Sequence, residues 1–253
     1  RVWVSEIMLQ QTRIEAVLPY FERFMTALPD VRALAEADTD ALMKLWEGLG
    51  YYSRARNLQK AARLVMEQWA GSLPASYDQL LTLPGIGEYT AGAVASIAFG
   101  IPVPAVDGNV MRVLARLFAR SEDVMQPASK KLFWAIAREM VSPEHPGRFN
   151  QAIMELGETV CLPNTMPKCA NCPLAGLCLA HKTGFERQLP VRSPKKARSI
   201  QERTIFLLIS READGPKRVL LHKRPDTGLL SGLWELPGAD EALNAASAAE
   251  AAA

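Results

Sequence analysis

The sequence predicts a mainly α-helical domain followed by a smaller β-containing segment. Three observations carry this. Apolar residues recur at helical spacing nearly throughout residues 1–160, strand patterns are scarce there, and β-type runs start only after Arg203. The chain opens at Arg1 in what reads as a helix, and Ile14, Val17, Leu18, Phe21, Phe24 and Met25 keep the i, i+3, i+4 pattern of the first helix. Further helices are expected over 38–47, 53–69, 76–82, 88–99, 108–119, 129–141 and 147–160. Pro29, Gly48 and Gly50, Gly71 to Pro74, Pro84 to Gly87, Pro102 to Pro104 and Pro143 to Gly147 punctuate them.

From Lys182 to Arg203 the apolar period stops. Lys182, Arg187, Arg192, Lys195, Lys196, Arg198 and Arg203 stand among prolines, as in a solvated linker, and such a strap can also follow a phosphate backbone. Residues 204–209 and 219–223 flank a turn containing Asp214-Gly215-Pro216, which reads as a hairpin. The mostly alanine tail after Gly238 supplies no core residues and carries no fold expectation.

The 253 residues allow one large or two smaller domains. With 49% hydrophobic and 22% charged residues the chain is globular, and no apolar run reaches the length of a membrane span. The net charge of +2 and pI near 8.4 permit nucleic-acid binding without demanding it. A chain that opens on Arg1 rather than Met reads as a fragment, so targeting cannot be judged from its start.

The only four cysteines, Cys161, Cys169, Cys172 and Cys178, are spaced C-x7-C-x2-C-x5-C. Two disulfides would merely staple a short loop in a chain large enough to bury its own core, so the cluster is expected to bind metal. Four thiolates suit a [4Fe–4S] cluster or tetrahedral zinc; the lack of paired C-x2-C knuckles favours iron–sulfur.

Two glycines, Gly85 and Gly87, precede a helix in Leu83-Pro84-Gly85-Ile86-Gly87, where outward N–H groups suit a phosphate. The bland alternative is simple helix capping. Asp107, in Val106-Asp107-Gly108-Asn109, is on its own grounds either a placed carboxylate or a helix N-cap. Glu6, before Ile7-Met8-Leu9, is either an acid raised in pKa by an apolar pocket or a first-turn carboxylate.

Ser5-Glu6-Ile7-Met8-Leu9-Gln10-Gln11-Thr12, Gly48-Leu49-Gly50-Tyr51-Tyr52, the hairpin, Val106-Asp107-Gly108-Asn109-Val110 and the cysteine loop occur in one order. In these elements the chain resembles the helix-hairpin-helix DNA glycosylases, and within them the MutY family, to about Gly238. The resemblance implies a helical glycosylase domain with an iron–sulfur loop (1–181), a basic interdomain linker (182–203) and a partial α+β Nudix-like domain (204–253). It implies a monofunctional glycosylase that flips adenine mispaired with 8-oxoguanine or guanine out of double-stranded DNA and hydrolyses its N-glycosidic bond.

By that resemblance Glu6 is the catalytic acid at adenine N7, and Asp107 the carboxylate that stabilises the sugar cation. Tyr89 hydrogen-bonds near Asp107, as does Asn109. Endonuclease III-type relatives carry a Schiff-base Lys at the position of Tyr89, so no efficient lyase step is expected. Gln151 matches an adenine-contacting position. Gln11 and Tyr51 match the wedge beside the orphaned base, with Arg54 and Arg56 next to Tyr51 suited to phosphate. Gly85 and Gly87 bind the DNA backbone. Cys161, Cys169, Cys172 and Cys178 hold the cluster, although the family has six residues where this chain has seven between the first two cysteines.

Six residues after Gly238 stands Asn244, with no Arg-Glu pair behind it, so no pyrophosphatase activity is expected. The expected protein is a monomer of the bacterial cytoplasm, associated with the nucleoid, or of the nucleus or mitochondrion if eukaryotic. Two rivals stay in view: a sister glycosylase acting on mismatched thymine or oxidised pyrimidine, and a non-catalytic DNA-binding module.

Overall fold

The computed structural model describes residues 1–194, 200–210, 215–225, 227–228 and 230–251. Lys195, Lys196 and Arg198 of the basic stretch and Asp214 of the expected turn lie outside the described residues. The chain forms two compact units, Arg1–Ser193 and Pro194–Ala253.

The first unit is helical, with α1 (Val2–Leu9), α2 (Ile14–Ala27), α3 (Val31–Glu36), α4 (Thr39–Trp46), α5 (Ser53–Trp69), α6 (Tyr77–Leu81), α7 (Glu88–Phe99), α8 (Gly108–Leu117), α9 (Pro127–Met140), α10 (Pro146–Thr159) and α11 (Leu179–Thr183). The starts follow capping chemistry. Asp30, Asp38, Ser76 and Asp107 each accept a backbone N–H of the helix they open, and Pro127 and Pro146 occupy first helical positions. The expected single first helix is divided: α1 stops at Leu9, and Gln11 turns the chain with φ +60° before α2. No Gly or Pro marks that break. Short α3 and α11 also escape a periodicity reading, because six and five residues hold too few turns to show one.

Two apolar cores fill this unit. One joins α1 to α7 around Trp46, Phe24, Leu42 and Leu58; Phe24 meets Trp46 edge-on at 6.0 Å between ring centroids. Burial of each such side chain stabilises the fold by about 1.5–3 kcal/mol. The second core joins α8, α9 and α10 around Val110, Leu114 and Phe133. Small residues bring the two lobes together. A Cβ on Gly92 of α7 would collide with the Pro104 carbonyl, and one on Gly147 would lie 2.8 Å from the Ser96 carbonyl oxygen. Buried Asn150 ties the same elements, accepting Ala105 N–H and donating to Ser96 Oγ and Val103 C=O. No helix among the described residues is long and apolar enough to cross a membrane.

Residues 182–193 are not a free linker. Glu186 and Leu189 are buried, and Val191 C=O accepts Val124 N–H at 3.1 Å.

The second unit is loosely built. β1 (Thr204–Ile205) pairs antiparallel with β4 (Gly238–Ala239), and β2 (His222–Lys223) pairs with β3 (Trp234–Glu235). The expected hairpin exists only at its turn end, as the Ile209–Val219 bridge; its other end leaves for β4. Gly238 is required there, since a Cβ would strike the Thr204 carbonyl. The alanine tail forms α12 (Ala245–Ala251). None of this unit's described residues is buried, and Leu207, Leu220 and Trp234 are exposed.

Candidate active site

α1, α7 and α8 bring three distant residues together. Glu6 lies on α1 with only 8% of its surface exposed. Tyr89, in the first turn of α7, donates its hydroxyl to Glu6 Oε2 at 2.7 Å. Met154 Sδ of α10 stands 3.3 Å from the same hydroxyl, and the one phenolic proton is best used on the shorter, charge-assisted bond. The partner of the Tyr89 hydroxyl is thus Glu6, with Asp107 in the lining of the same cavity as Tyr89.

Asp107 caps α8: Oδ1 accepts Val110 N–H at 2.8 Å, and Oδ2 accepts Asn109 Nδ2 at 2.9 Å. The N-cap reading and the placed-carboxylate reading therefore describe one side chain. Behind it, Asn109 Oδ1 accepts Arg112 at 2.8 Å, and buried Arg112 also donates to the carbonyls of Gly157 and Cys161.

Burial pushes the Glu6 carboxyl above its ordinary range; the Tyr89 bond pulls it back, and the Asp107 charge adds to the rise. Burial also raises Asp107, against the donors from Val110 and Asn109 and the Arg112 charge. Burial and the Glu6 charge push the Tyr89 phenol upward, so it stays protonated as a donor. Both Asp107 oxygens accept hydrogen bonds, while Glu6 accepts the Tyr89 hydroxyl.

Tyr89 and Asp107 line a cavity of about 350 Å³ with Gln10, Met111, Lys130 and Trp134, among others; Glu6 is not in that lining and reaches it through its bond to Tyr89. Lys130 and Trp134 sit one turn apart on α9 and carried no sequence signal of a site. Arg112 did carry one, as a cation in the apolar run of α8.

The hairpin between α6 and α7 uses its glycines differently. Gly85 has φ +81°, and a Cβ there would come within 2.8 Å of Asn57 Cβ. Gly87 is extended, caps α7 and faces open space. Gln11 and Tyr51 both adopt positive φ, +60° and +47°. Tyr51 is 60% exposed, while Tyr52 packs against the first core. Gln151 stands exposed on α10, donating to its own helix at Gly147 C=O, and does not line the cavity. Arg54, read as a phosphate contact, is buried instead.

The four cysteines are half-buried free thiols lining one common cavity with Val113, Leu117 and Leu156. Arg116 donates to Cys161 Sγ at 3.2 Å. The seven-residue loop after Cys161 is closed by Lys168 N–H to Val160 C=O at 2.9 Å, with Asn164 at φ +58° taking up the turn. The four thiols round one cavity suit a metal group, and ligand atoms of His181 and Glu186 lie within 4.8 Å of Cys169 Sγ.

A hairpin that opens a helix beside two carboxyls and a cavity defines a helix-hairpin-helix protein with a two-carboxylate site. Residues 4–139 match the family model described as HhH-GPD superfamily base excision DNA repair protein, and the chain belongs to that superfamily. It is 40% identical over 275 residues to an adenine DNA glycosylase of Mus musculus, covering 93% of this chain and 53% of that protein. The chain thus spans about half the length of such relatives. Its fold superposes on a thermostable thymine-DNA glycosylase with TM-score 0.64 and 26% identity, over 72% of this chain and 83% of the other. A non-covalent Endonuclease III–DNA complex gives TM-score 0.62 and 25% identity, over 73% and 84%.

Proposed function

We propose that this protein is a monofunctional adenine DNA glycosylase of the MutY type, acting on adenine opposite 8-oxoguanine or guanine in double-stranded DNA. The observation that carries the reading is the buried Glu6 carboxyl bonded to Tyr89, at the position where a lyase would need an amine. The adenine DNA glycosylase relatives support the choice of base.

In this mechanism the adenine is turned out of the stack. Protonated Glu6 gives its proton to N7 as the C1′–N9 bond breaks, and the bonding electrons leave with the base. The ionised Asp107 stabilises the positive charge left on the sugar, by proximity or by a transient bond to C1′. Water adds to C1′ and loses a proton to a carboxylate, leaving an abasic site. Asn109 holds Asp107 in place. Gln151 contacts the base, Gln11 and Tyr51 fill the vacated stack, and the Gly85–Gly87 turn takes a phosphate.

Cys161, Cys169, Cys172 and Cys178 would hold a [4Fe–4S] cluster, whose bonds to the four thiolates would crosslink a DNA-facing loop. The unit after Pro194 is part of a Nudix-like domain that helps read 8-oxoguanine. The protein works as a monomer, in the cytoplasm at the nucleoid or, in a eukaryote, in the nucleus or mitochondrion.

The deciding experiment incubates the protein with duplexes holding A:8-oxoG, A:G, T:G and A:T, followed by hot alkali. Cleavage at adenine opposite 8-oxoguanine, seen only after alkali, is expected. Cleavage at thymine or without alkali assigns a sister chemistry, and binding with no cleavage at all assigns a non-catalytic module.

A further inference from the structure

Arg54 is 8% exposed; its two Nη groups face backbone carbonyls and Thr12, while its buried Nε–H has no hydrogen-bond partner. Nη1 donates to the carbonyls of Ile7 at 2.9 Å, Met8 at 2.7 Å and Gln10 at 2.7 Å. Nη2 donates to Thr12 Oγ1 at 3.3 Å and to the carbonyls of Leu49 and Gly50 at 3.1 Å each. Two of the carbonyls belong to the last turn of α1, where intrahelical donors have run out and a cation is favoured.

One planar group therefore clamps two loops that are far apart in sequence. Each loop carries a non-glycine residue in the left-handed region, Gln11 at φ +60° and Tyr51 at φ +47°. Side chains of these types rarely adopt that conformation unless their surroundings over-determine it. The guanidinium carbon also lies 5.6 Å from the Tyr51 ring centroid and 5.3 Å from that of Trp46, whose Nε1 donates to Gly50 C=O. Tyr51 remains 60% exposed above this clamp.

We propose that Arg54 is a positioning residue that holds Gln11 and Tyr51 in their left-handed poses at a set separation, so that both enter the duplex together when a base is turned out. The inference rests on the reading above that these two side chains fill the vacated stack. Arg54 itself meets no DNA. Lysine cannot replace it, since one ammonium with three donors cannot span acceptors on both loops as a rigid five-donor fork does.

The test measures single-turnover adenine excision by the full chain and by Arg54→Lys, Gln11→Ala, Tyr51→Ala and the Arg54→Lys/Tyr51→Ala pair. Two substrates are used: adenine opposite 8-oxoguanine in a fully paired duplex, and the same pair flanked by mismatches on both sides, where stacking no longer resists turning the base out. Loss of loop registry predicts that Arg54→Lys falls about a hundredfold on the paired substrate, the scale of a 1 Å misplacement. On the mismatch-flanked substrate it stays within a few-fold of the parent. The double variant falls little further than its worse parent, because both changes remove one action.

Equal losses on both substrates would make Arg54 a plain fold residue and overturn the proposal, as would no loss on either. If Arg54→Lys fails to fold, Thr12→Val removes a single acceptor, and its smaller loss must again be confined to the paired substrate. Parent-like rates for both Gln11→Ala and Tyr51→Ala would sink the wedge reading, and the proposal with it, while leaving adenine excision standing. No excision by the parent protein would sink the glycosylase reading itself.

Discussion

Tyr89 Oη donates to Glu6 Oε2 across 2.7 Å, joining residues 83 positions apart. The phenol is the donor that Glu6 has in an otherwise desolvating site, and it opposes the burial that raises the carboxyl. The proton needed by the proposed acid is thus set by burial and the Asp107 charge on one side and the Tyr89 hydroxyl on the other.

Tyr89→Phe removes the effect that lowers the Glu6 carboxyl, so its pKa rises further. In the proposed mechanism protonated Glu6 is the active form. The limb of the pH–rate profile where activity falls as pH rises therefore moves to higher pH. Losing the donor to a buried carboxyl costs about 1–3 kcal/mol of stability. Rates and melting points between pH 5 and 9 check both; an unmoved limb contradicts the assignment of Glu6 as the acid.

Glu6→Gln is expected to lower excision by about a hundredfold or more, the usual worth of a general acid, with duplex binding retained. Glu6 binds its proton more tightly folded than unfolded. Its contribution favours the native state at low pH and is lost as pH rises from the ordinary value through the raised folded one. Glu6→Gln should therefore flatten the decline of melting temperature with pH. Asp107, raised in the same direction, accounts for the slope that remains.

Asp107 carries a cap and a charge on one side chain, and two variants separate them. Asp107→Ala loses the cap and should cost about 0.5–2 kcal/mol. Asp107→Asn keeps an oxygen for Val110 N–H but sets a donor against Asn109 Nδ2, at a cost of about 1–3 kcal/mol, and it loses about a hundredfold or more in excision because the anion is gone. An active Asp107→Asn would leave Asp107 a cap alone.

Tyr89→Lys places an amine where the sugar C1′ is expected. Borohydride treatment of a reaction on A:8-oxoG duplex should trap a covalent protein–DNA adduct that the parent does not form. Absence of the adduct in a folded variant would mean that position 89 does not face the sugar.

Cys172→Ser should leave a loop without its four-thiolate group. Iron content by metal analysis and the visible absorbance of the purified protein should fall together, with weaker duplex binding. Full iron retention would remove Cys172 from the ligand set.

The helical class, the glycine hairpin and the cysteine loop were legible in the sequence because each is a local pattern. Periodicity, capping residues and spacing act within a few residues, so α5, α7 and α10 stand close to their expected spans. Glu6 and Asp107 were legible only through the company they keep along the chain. The break at Gln11 was not, since no local glycine marks its left-handed turn and the Arg54 bond to the Gln10 carbonyl beside it comes from another helix.

The second unit shows the limit from the other side. The β pattern of 204–209 is real, but its partner was misjudged over half its length, because pairing with Gly238–Ala239 depends on long-range approach.

By itself, then, the sequence determined which segments are helical, where they stop at Gly and Pro, and which residue types are available for acid, anion and thiolate. Only the tertiary structure decided that Tyr89 serves Glu6, that Asp107 shares itself between a helix cap and the cavity, and that Arg54 turns inward to clamp two loops. Those outcomes depend on desolvation and on donor–acceptor geometry between groups tens of residues apart, and no local pattern encodes them.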